Sequence, residues 1–195
     1  MRKRIFDIIS SFSVFVILSP VFLIVAIWIK LDSKGGIFYQ QKRVGKNQVE
    51  FGLFKFRTMR PNSDQLKLTV GDRDPRVTEV GYYLRKYKLD ELPQLINILR
   101  GEMSVVGPRP EVSQYVNLYN EEQLKVLSVK PGLSDLATLE YVNESEILAK
   151  SDNPEETYIN EIMPDKLKLN LEYIEKQNFL LDLRIIFKTF ARIVR

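Results

Sequence analysis

The stretch IISSFSVFVILSPVFLIVAIWI, Ile8 to Ile29, decides how this chain is built. It runs for 22 residues without a charge. As a helix it would extend about 33 Å, enough to cross a hydrocarbon core of about 30 Å. Two features oppose a plain crossing. Ser19-Pro20 lies at its middle, where proline removes a backbone donor and crowds the preceding turn. Basic residues also stand on both flanks: Arg2, Lys3 and Arg4 before it, then Lys30, Lys34, Lys42 and Arg43 after it. A straight span would carry one basic flank across the membrane, against the positive-inside tendency. A helix that enters, bends at Ser19-Pro20 and returns keeps both flanks on the cytoplasmic side. Proline kinks also occur within true spans, so the residues alone leave both arrangements open. A cleaved signal peptide is not expected, because the apolar run is too long and no small-x-small site follows it. Trp28 stands near the end of the run, as an interfacial anchor would.

Working outward, charge follows this segment. Residues 1–60 carry 11 Lys/Arg and 3 Asp/Glu, whereas residues 61–195 carry 18 and 22. Basic charge gathered around an apolar helix points to an anionic membrane surface, each residue near it contributing about 1 kcal/mol. Nucleic acid is not the expected partner, since no nucleic-acid module is visible. With 45% hydrophobic and 28% charged residues the chain has the composition of a folded domain. It contains no cysteine and no histidine. Disulfides and thiolate chemistry are excluded, and a zinc site is not expected. A hard cation such as Mg²⁺, held by carboxylates and phosphates, remains compatible.

Beyond the apolar segment, Ile37–Gln41 and Phe51–Phe56 flank a polar stretch around Gly45-Lys46-Asn47 and predict a small β-hairpin. Residues 61–77 are polar, with Asp72, Asp74 and Pro75 marking a loop. Helices are predicted over Val77–Tyr87 and over Pro93–Arg100, the latter stopped by Gly101. Gly107-Pro108-Arg109-Pro110 reads as a rigid turn. Glu111–Val129 has a helical pattern, broken near Asn120. Asp152-Asn153-Pro154-Glu155-Glu156 is a helix start, and Pro164 interrupts or restarts that helix. At the C-terminus Leu180, Leu183, Phe187, Phe190 and Val194 fall at helical spacing, with Arg184, Lys188 and Arg192 on another face. Such a helix lies in a membrane interface or packs on the domain core. The fold class expected is α+β, mostly helical.

Chemistry must then come from carboxylates, lysines, tyrosines or hydroxyls. Asp90 and Glu91 stand together just before Pro93, so they are expected at or just before a helix N-terminus, where free N–H groups and the dipole favour negative charge. Arg85 and Arg109 are placed to neutralise phosphate oxygens. Lys55 and Arg57 share one face of the second hairpin strand by the period of two. Adjacent acids before a helix are also ordinary caps, and exposed lysines and arginines are mostly solvated. Asp72 and Asp74 are read as turn formers rather than metal ligands.

Together these residues fall into ordered motifs: Leu18-Ser19-Pro20, Gln41-Lys42-Arg43-Val44-Gly45, Lys55-Phe56-Arg57-Thr58-Met59, Asp74-Pro75-Arg76-Val77-Thr78, Leu89-Asp90-Glu91-Leu92-Pro93-Gln94, Gly101 through Glu111, and Lys130-Pro131-Gly132. In these the chain resembles the bacterial sugar transferases of the monotopic phosphoglycosyl transferase superfamily, in their minimal form. The resemblance covers nearly the whole chain, from Arg4-Ile5-Phe6-Asp7 to Leu181-Asp182-Leu183. It implies a re-entrant membrane helix over residues 1–30, broken at Ser19-Pro20. Residues 31–195 would form a catalytic domain, with interfacial amphipathic helices, on the cytoplasmic face of the bacterial inner membrane. It implies ping-pong transfer of a phospho-sugar from a UDP-sugar to undecaprenyl phosphate with release of UMP and with Mg²⁺ as cofactor, the first membrane step of glycoconjugate assembly. Asp90 would be the nucleophile and metal-binding carboxylate, forming an aspartyl phospho-sugar. Glu91 would assist, managing the acceptor's proton. Lys55, Arg85 and Arg109 would bind substrate phosphates. A non-enzymatic, membrane-anchored scaffold protein is the alternative, and a homodimer is left open. One departure stands out. After Lys130-Pro131-Gly132-Leu133 many relatives continue with Thr-Gly and a Gln-containing segment, whereas Ser134-Asp135-Leu136-Ala137-Thr138-Leu139 follows here. The resemblance therefore does not extend to the choice of sugar.

Overall fold

The computed structural model describes residues 2–61, 74–141 and 143–193. The apolar segment forms two helices, α1 (Arg2–Ile17) and α2 (Ser19–Asp32), bent by 60° at Leu18. Neither helix is long and apolar enough to cross a membrane alone. The bend has a local chemical cause. Pro20 has no N–H for the carbonyl of Val16, four residues earlier. The Ser19 hydroxyl donates to that same oxygen at 2.8 Å, so the break leaves no orphan acceptor there.

Both ends of this bent pair are tied to the rest of the chain. Near the start of α1, Arg4 donates to the carbonyls of Ile98 and Leu99 at 2.5 and 2.9 Å. Lys3 pairs with Asp182 at 2.6 Å. Asp7, buried, accepts from the Ser104 hydroxyl at 2.9 Å and the Val105 N–H at 3.1 Å. At the end of α2, Arg57 donates to Ser33 and Gly36, and Lys30 to the Gly35 carbonyl. Part of the basic flank charge is thus used within the protein: Lys3, Arg4 and Arg43 serve internal ion pairs and helix ends. Arg57 lines the same cleft as Lys55, with its guanidinium bonded to Ser33 and Gly36.

The hairpin forms as expected: β1 (Phe38–Val44) and β2 (Glu50–Phe56) pair antiparallel, Gln41 opposite Leu53. After it, α3 (Glu79–Lys86) starts at Thr78, whose hydroxyl accepts from the Gly81 N–H at 3.0 Å. A short 3₁₀ turn, Leu89–Glu91, precedes α4 (Gln94–Arg100), which Gly101 ends at φ +90°. Next come β3 (Ser104–Val106), α5 (Ser113–Val116), β4 (Gly132–Ser134), α6 (Leu136–Glu140), α7 (Glu144–Ala149) and α8 (Pro154–Thr157). A π-helical turn at Tyr158–Ile162 leads into α9 (Met163–Lys176), with Pro164 in its first turn, and α10 (Phe179–Ile193) closes the order.

The parallel pair β3–β4 has no sequence signal of its own, each strand being three residues long. Glu111–Val129 is helical in two pieces that separate near Asn120, as its pattern predicts, but both are shorter than expected. Glu111 instead bridges Val44, whose N–H donates to its carbonyl at 2.8 Å, and only α5 and a 3₁₀ segment at Gln123–Ser128 remain helical. The break at Asn120 is a reciprocal cap, the side chains of Asn120 and Gln123 each accepting the other's N–H at 2.9 Å. Asp72 and Val194 lie outside the described residues. Asp74 does shape a turn, accepting from the Arg76 backbone and side chain.

The core is a chain of small clusters rather than one mass. Val25 and Ile29 of α2 pack with Phe56, Val80 and Leu84. Leu53, Leu95, Ile98 and Met103 form the next cluster. Tyr115, Leu148, Tyr158, Met163 and Leu167 form a third. On α10 the buried residues include Asp182 and Ile185, while Leu180, Phe187 and Phe190 are exposed. Also exposed are Ile5, Ile8, Ile9, Phe12 and Ile17 of α1 and Leu23, Ile24, Ile27 and Trp28 of α2. Exposed apolar side chains this numerous on three helices mark an interaction surface if they form one patch.

Candidate active site

Four elements converge on one cleft of about 1360 Å³, and Asp90, Glu91, Lys55, Arg85 and Arg109 all line it. The 3₁₀ turn after α3 supplies the acidic pair. Lys88, at φ +55°, reverses the chain there and sets Asp90 two residues on. The N–H groups of Glu91 and Leu92 are already bonded within this turn, at 3.4 and 3.2 Å. The acids stand just before α4, as their position before Pro93 implies, but neither side chain caps a helix. They project toward cationic side chains instead.

Glu91 sits between two of them. Lys55 of β2 donates to it at 3.3 Å. Arg109 grips both of its oxygens in a fork, one contact at 3.3 Å and the other shorter. All three side chains are largely withdrawn from water. Burial pushes the Glu91 carboxyl upward, but Arg109 and Lys55 outweigh it and hold the group well below the usual carboxylate range. Burial lowers the Lys55 ammonium, and Glu91 opposes that shift.

Asp90 is different. It is 7% exposed, and among the described residues its carboxylate has no hydrogen bond or salt bridge. Burial raises its pKa above the ordinary aspartate value, Lys55 pulls it back, and the neighbouring Glu91 adds to the rise. A desolvated carboxylate without a partner, next to a pre-paired cationic frame, suits attack on an anion that the frame has neutralised. Arg85, from α3, donates to the Thr58 hydroxyl at 3.0 Å and faces Asp90 and Asp74 electrostatically. Among the described residues no three His, Cys, Asp or Glu side chains gather to hold a metal.

Arg109 owes its placement to a backbone crossing. Gly107 and Gly132 pass so closely, where β3 meets β4, that a Cβ on Gly132 would overlap the Gly107 backbone. Only glycine fits such an approach. From there the Pro108–Pro110 turn aims Arg109 at Glu91.

With this geometry in place, the whole chain, residues 1–195, matches the family described as bacterial sugar transferase. The chain belongs to that family. It is 34% identical over 212 residues to the exopolysaccharide production protein ExoY of Rhizobium meliloti (strain 1021), covering 99% of this chain and 85% of that protein. It is 35% identical over 195 residues to the UDP-glucose:undecaprenyl-phosphate glucose-1-phosphate transferase of Escherichia coli (strain K12), covering 97% of this chain and 39% of the relative. Against the undecaprenyl-phosphate glucose phosphotransferase of Komagataeibacter xylinus it is 36% identical over 200 residues, with 98% and 36% covered. The chain thus spans little more than a third of the length of these two glucose phosphotransferases.

In this family member, residue types and spacing alone do not reveal the support beneath Arg109. Glu111 accepts from Arg43 at 2.8 Å and from the Tyr158 hydroxyl at 2.5 Å, and Arg43 also donates to the Pro110 carbonyl at 3.0 Å. Arg43 and Glu111 did stand in quoted motifs, but nothing in their spacing joined them. Asp135, in the segment that departs from many relatives, caps α6 by accepting from the Thr138 N–H at 2.7 Å and its hydroxyl at 2.5 Å.

Proposed function

We propose that this chain is a phosphoglycosyl transferase that moves a phospho-sugar from a UDP-sugar to undecaprenyl phosphate and releases UMP. The observation that carries the reading is the unpartnered, buried Asp90 beside the Lys55–Glu91–Arg109 frame. In the first step an Asp90 oxygen attacks the sugar-bearing phosphorus, the bond to the UMP oxygen breaks, and an aspartyl phospho-sugar forms. In the second, an oxygen of the polyprenyl phosphate attacks the same phosphorus, the acyl phosphate breaks, and Asp90 returns as carboxylate with a polyprenyl diphospho-sugar released. Each step displaces one anion by another, so the rate depends on charge neutralisation and alignment. Lys55, Arg85 and Arg109 provide that neutralisation. Glu91 holds Lys55 and Arg109 in position before substrate arrives, and a carboxylate so strongly paired is a poor proton acceptor. Mg²⁺, whose usual protein ligands are one or two carboxylates beside substrate phosphates, fits the free Asp90 oxygens and would supply further neutralisation of the diphosphate. A screen for UMP release across UDP-sugars with undecaprenyl phosphate tests the reading. Release with none of them, and indifference to Asp90 substitution, would instead favour a scaffold.

A pH profile follows from Asp90. The attacking form is ionised, so kcat/KM rises as pH climbs through its raised pKa. The acid limb is expected above the ordinary aspartate value of 3.8. Lys55 pulls that pKa down, so Lys55→Met should move the limb to higher pH. Stopped-time UMP assays across buffers measure both.

The membrane arrangement belongs to the same proposal. The start of α1 and the end of α2 are bonded to one globular body, which supports a re-entrant pair with both ends on the cytoplasmic side of the inner membrane. Residues 31–195 then work at headgroup level, α10 lying in the interface with its apolar face down. The chain has no cysteine, so Arg2→Cys and Lys34→Cys report individually. Both are expected to react with an impermeant thiol reagent from the cytoplasmic side only. Labelling from opposite sides would exclude the re-entrant pair.

A further inference from the structure

Four buried side-chain atoms lining the cleft have no hydrogen-bond partner among the described residues, Ser11 Oγ, Gln114 Oε1, Tyr115 Oη and Asn170 Oδ1, and the last two share a wall with Tyr158 and Lys166. Asn170 of α9 is 5% exposed, and its Oδ1 has no hydrogen-bond partner. Tyr115 of α5 is 4% exposed, and its hydroxyl has none either. Both line the cleft that holds Asp90. Buried polar groups are nearly always paired, and an unpaired one weakens the fold that keeps it. Two such groups in one cleft wall call for a partner that arrives from outside.

These two groups belong to one continuous surface. The Tyr115 ring packs on Tyr158 with centroids 5.0 Å apart. The Lys166 ammonium lies 5.7 Å above the Tyr158 ring and pairs with Glu144 at 2.8 Å. Asn170 follows Lys166 by four residues and so shares its face of α9. At the other end, Glu144 lies near enough to Arg109 to act on its charge. These residues and the phosphate frame line the same cleft. The wall's lysine is already neutralised by Glu144, so what the wall offers a ligand is neutral: an amide with one donor end and one acceptor end, and a phenol.

We propose that this wall is the subsite for the non-reacting end of the nucleotide-sugar, with Asn170 and Tyr115 hydrogen-bonding neutral N–H, O–H or carbonyl groups there. The inference rests on the phosphoglycosyl transferase reading. Such groups occur both on the sugar, as hydroxyl or acylamino substituents, and on uracil, as its imide edge. α6, which follows the Ser134-Asp135 departure, contributes Thr138 and Leu139 to the same cleft.

The test uses Asn170→Leu and Tyr115→Phe in the full-length chain, with the UDP-sugar that the wild type turns over. Each change replaces an unpaired polar group by an apolar one of similar shape. Without ligand the melting temperature is expected to hold or rise, while KM for the UDP-sugar rises about tenfold in each variant, roughly the loss of one hydrogen bond. Inhibition by UMP separates the two sources. A parallel weakening of UMP identifies the uracil, and an unchanged UMP inhibition constant identifies the sugar. Either result supports the subsite. An unchanged KM in a folded variant would overturn it, as would a lower melting temperature, which marks a structural role. Absence of UMP release in the wild type would refute the underlying activity instead, so the two failures are distinct.

Discussion

Asp90→Asn is expected to abolish UMP release, with a loss of about 10⁴-fold or more, the scale seen when a covalent nucleophile is removed. The carboxamide keeps the shape of the side chain and loses the attacking oxygen. Stability should move the other way. Burial raises the folded pKa of Asp90 above its unfolded value. A group shifted upward stabilises the fold only below its unfolded pKa, and that contribution disappears as pH rises through the folded value. At neutral pH the ionised, unpartnered Asp90 therefore weakens the fold, and asparagine relieves it. A dead enzyme with an equal or higher melting temperature is the expected pair of results. Wild-type protein incubated with UDP-sugar but no acceptor should gain the mass of a phospho-sugar, and the variant should not. A fully active Asp90→Asn enzyme would sink the nucleophile assignment.

Glu91→Gln carries the second large effect, on stability first. Glu91 balances two buried cations, Lys55 and Arg109. Removing one partner of a buried pair leaves uncompensated charge and costs about 3–5 kcal/mol. The sign with pH is opposite to that of Asp90. The folded pKa of Glu91 is depressed, so its contribution is present above the unfolded value and is lost as pH falls through the folded one. The variant should melt several degrees lower at neutral pH, and the gap to wild type should close in acid. UDP should restore much of the loss, because its diphosphate brings the missing negative charge to the same cations. Thermal melts with and without UDP measure this. A variant as stable as wild type without ligand would show that Glu91 is not the counter-charge of the frame.

Much of this site was legible in one dimension. Asp90, Glu91, Lys55, Arg85 and Arg109 each stand out by residue type and position in the sequence, and they line one cleft. Their division of labour was not legible. Asp90 and Glu91 are chain neighbours with the same functional group, yet one is unpartnered and raised while the other is clamped and lowered. That difference comes from Arg109, 18 residues away in sequence, and Lys55, 36 residues away. The support through Arg43 and Glu111 spans 68 residues, and no local spacing records such a contact.

What the sequence determined by itself was local and compositional: the apolar segment with its break at Ser19-Pro20, the hairpin, the short helices around the acidic pair, and the absence of thiol and imidazole chemistry. These follow from dihedral limits, periodicity and residue chemistry within a few positions. Tertiary structure decided the rest. It tied Lys3 and Arg4 of the basic flank, and Arg57, to acceptors that exist only once distant elements pack. It brought β3 and β4 together through a glycine crossing that aims Arg109. And it withdrew Asp90 from water without a hydrogen bond or salt bridge among the described residues, because desolvation and long-range charge are properties of the assembled fold and of no segment alone.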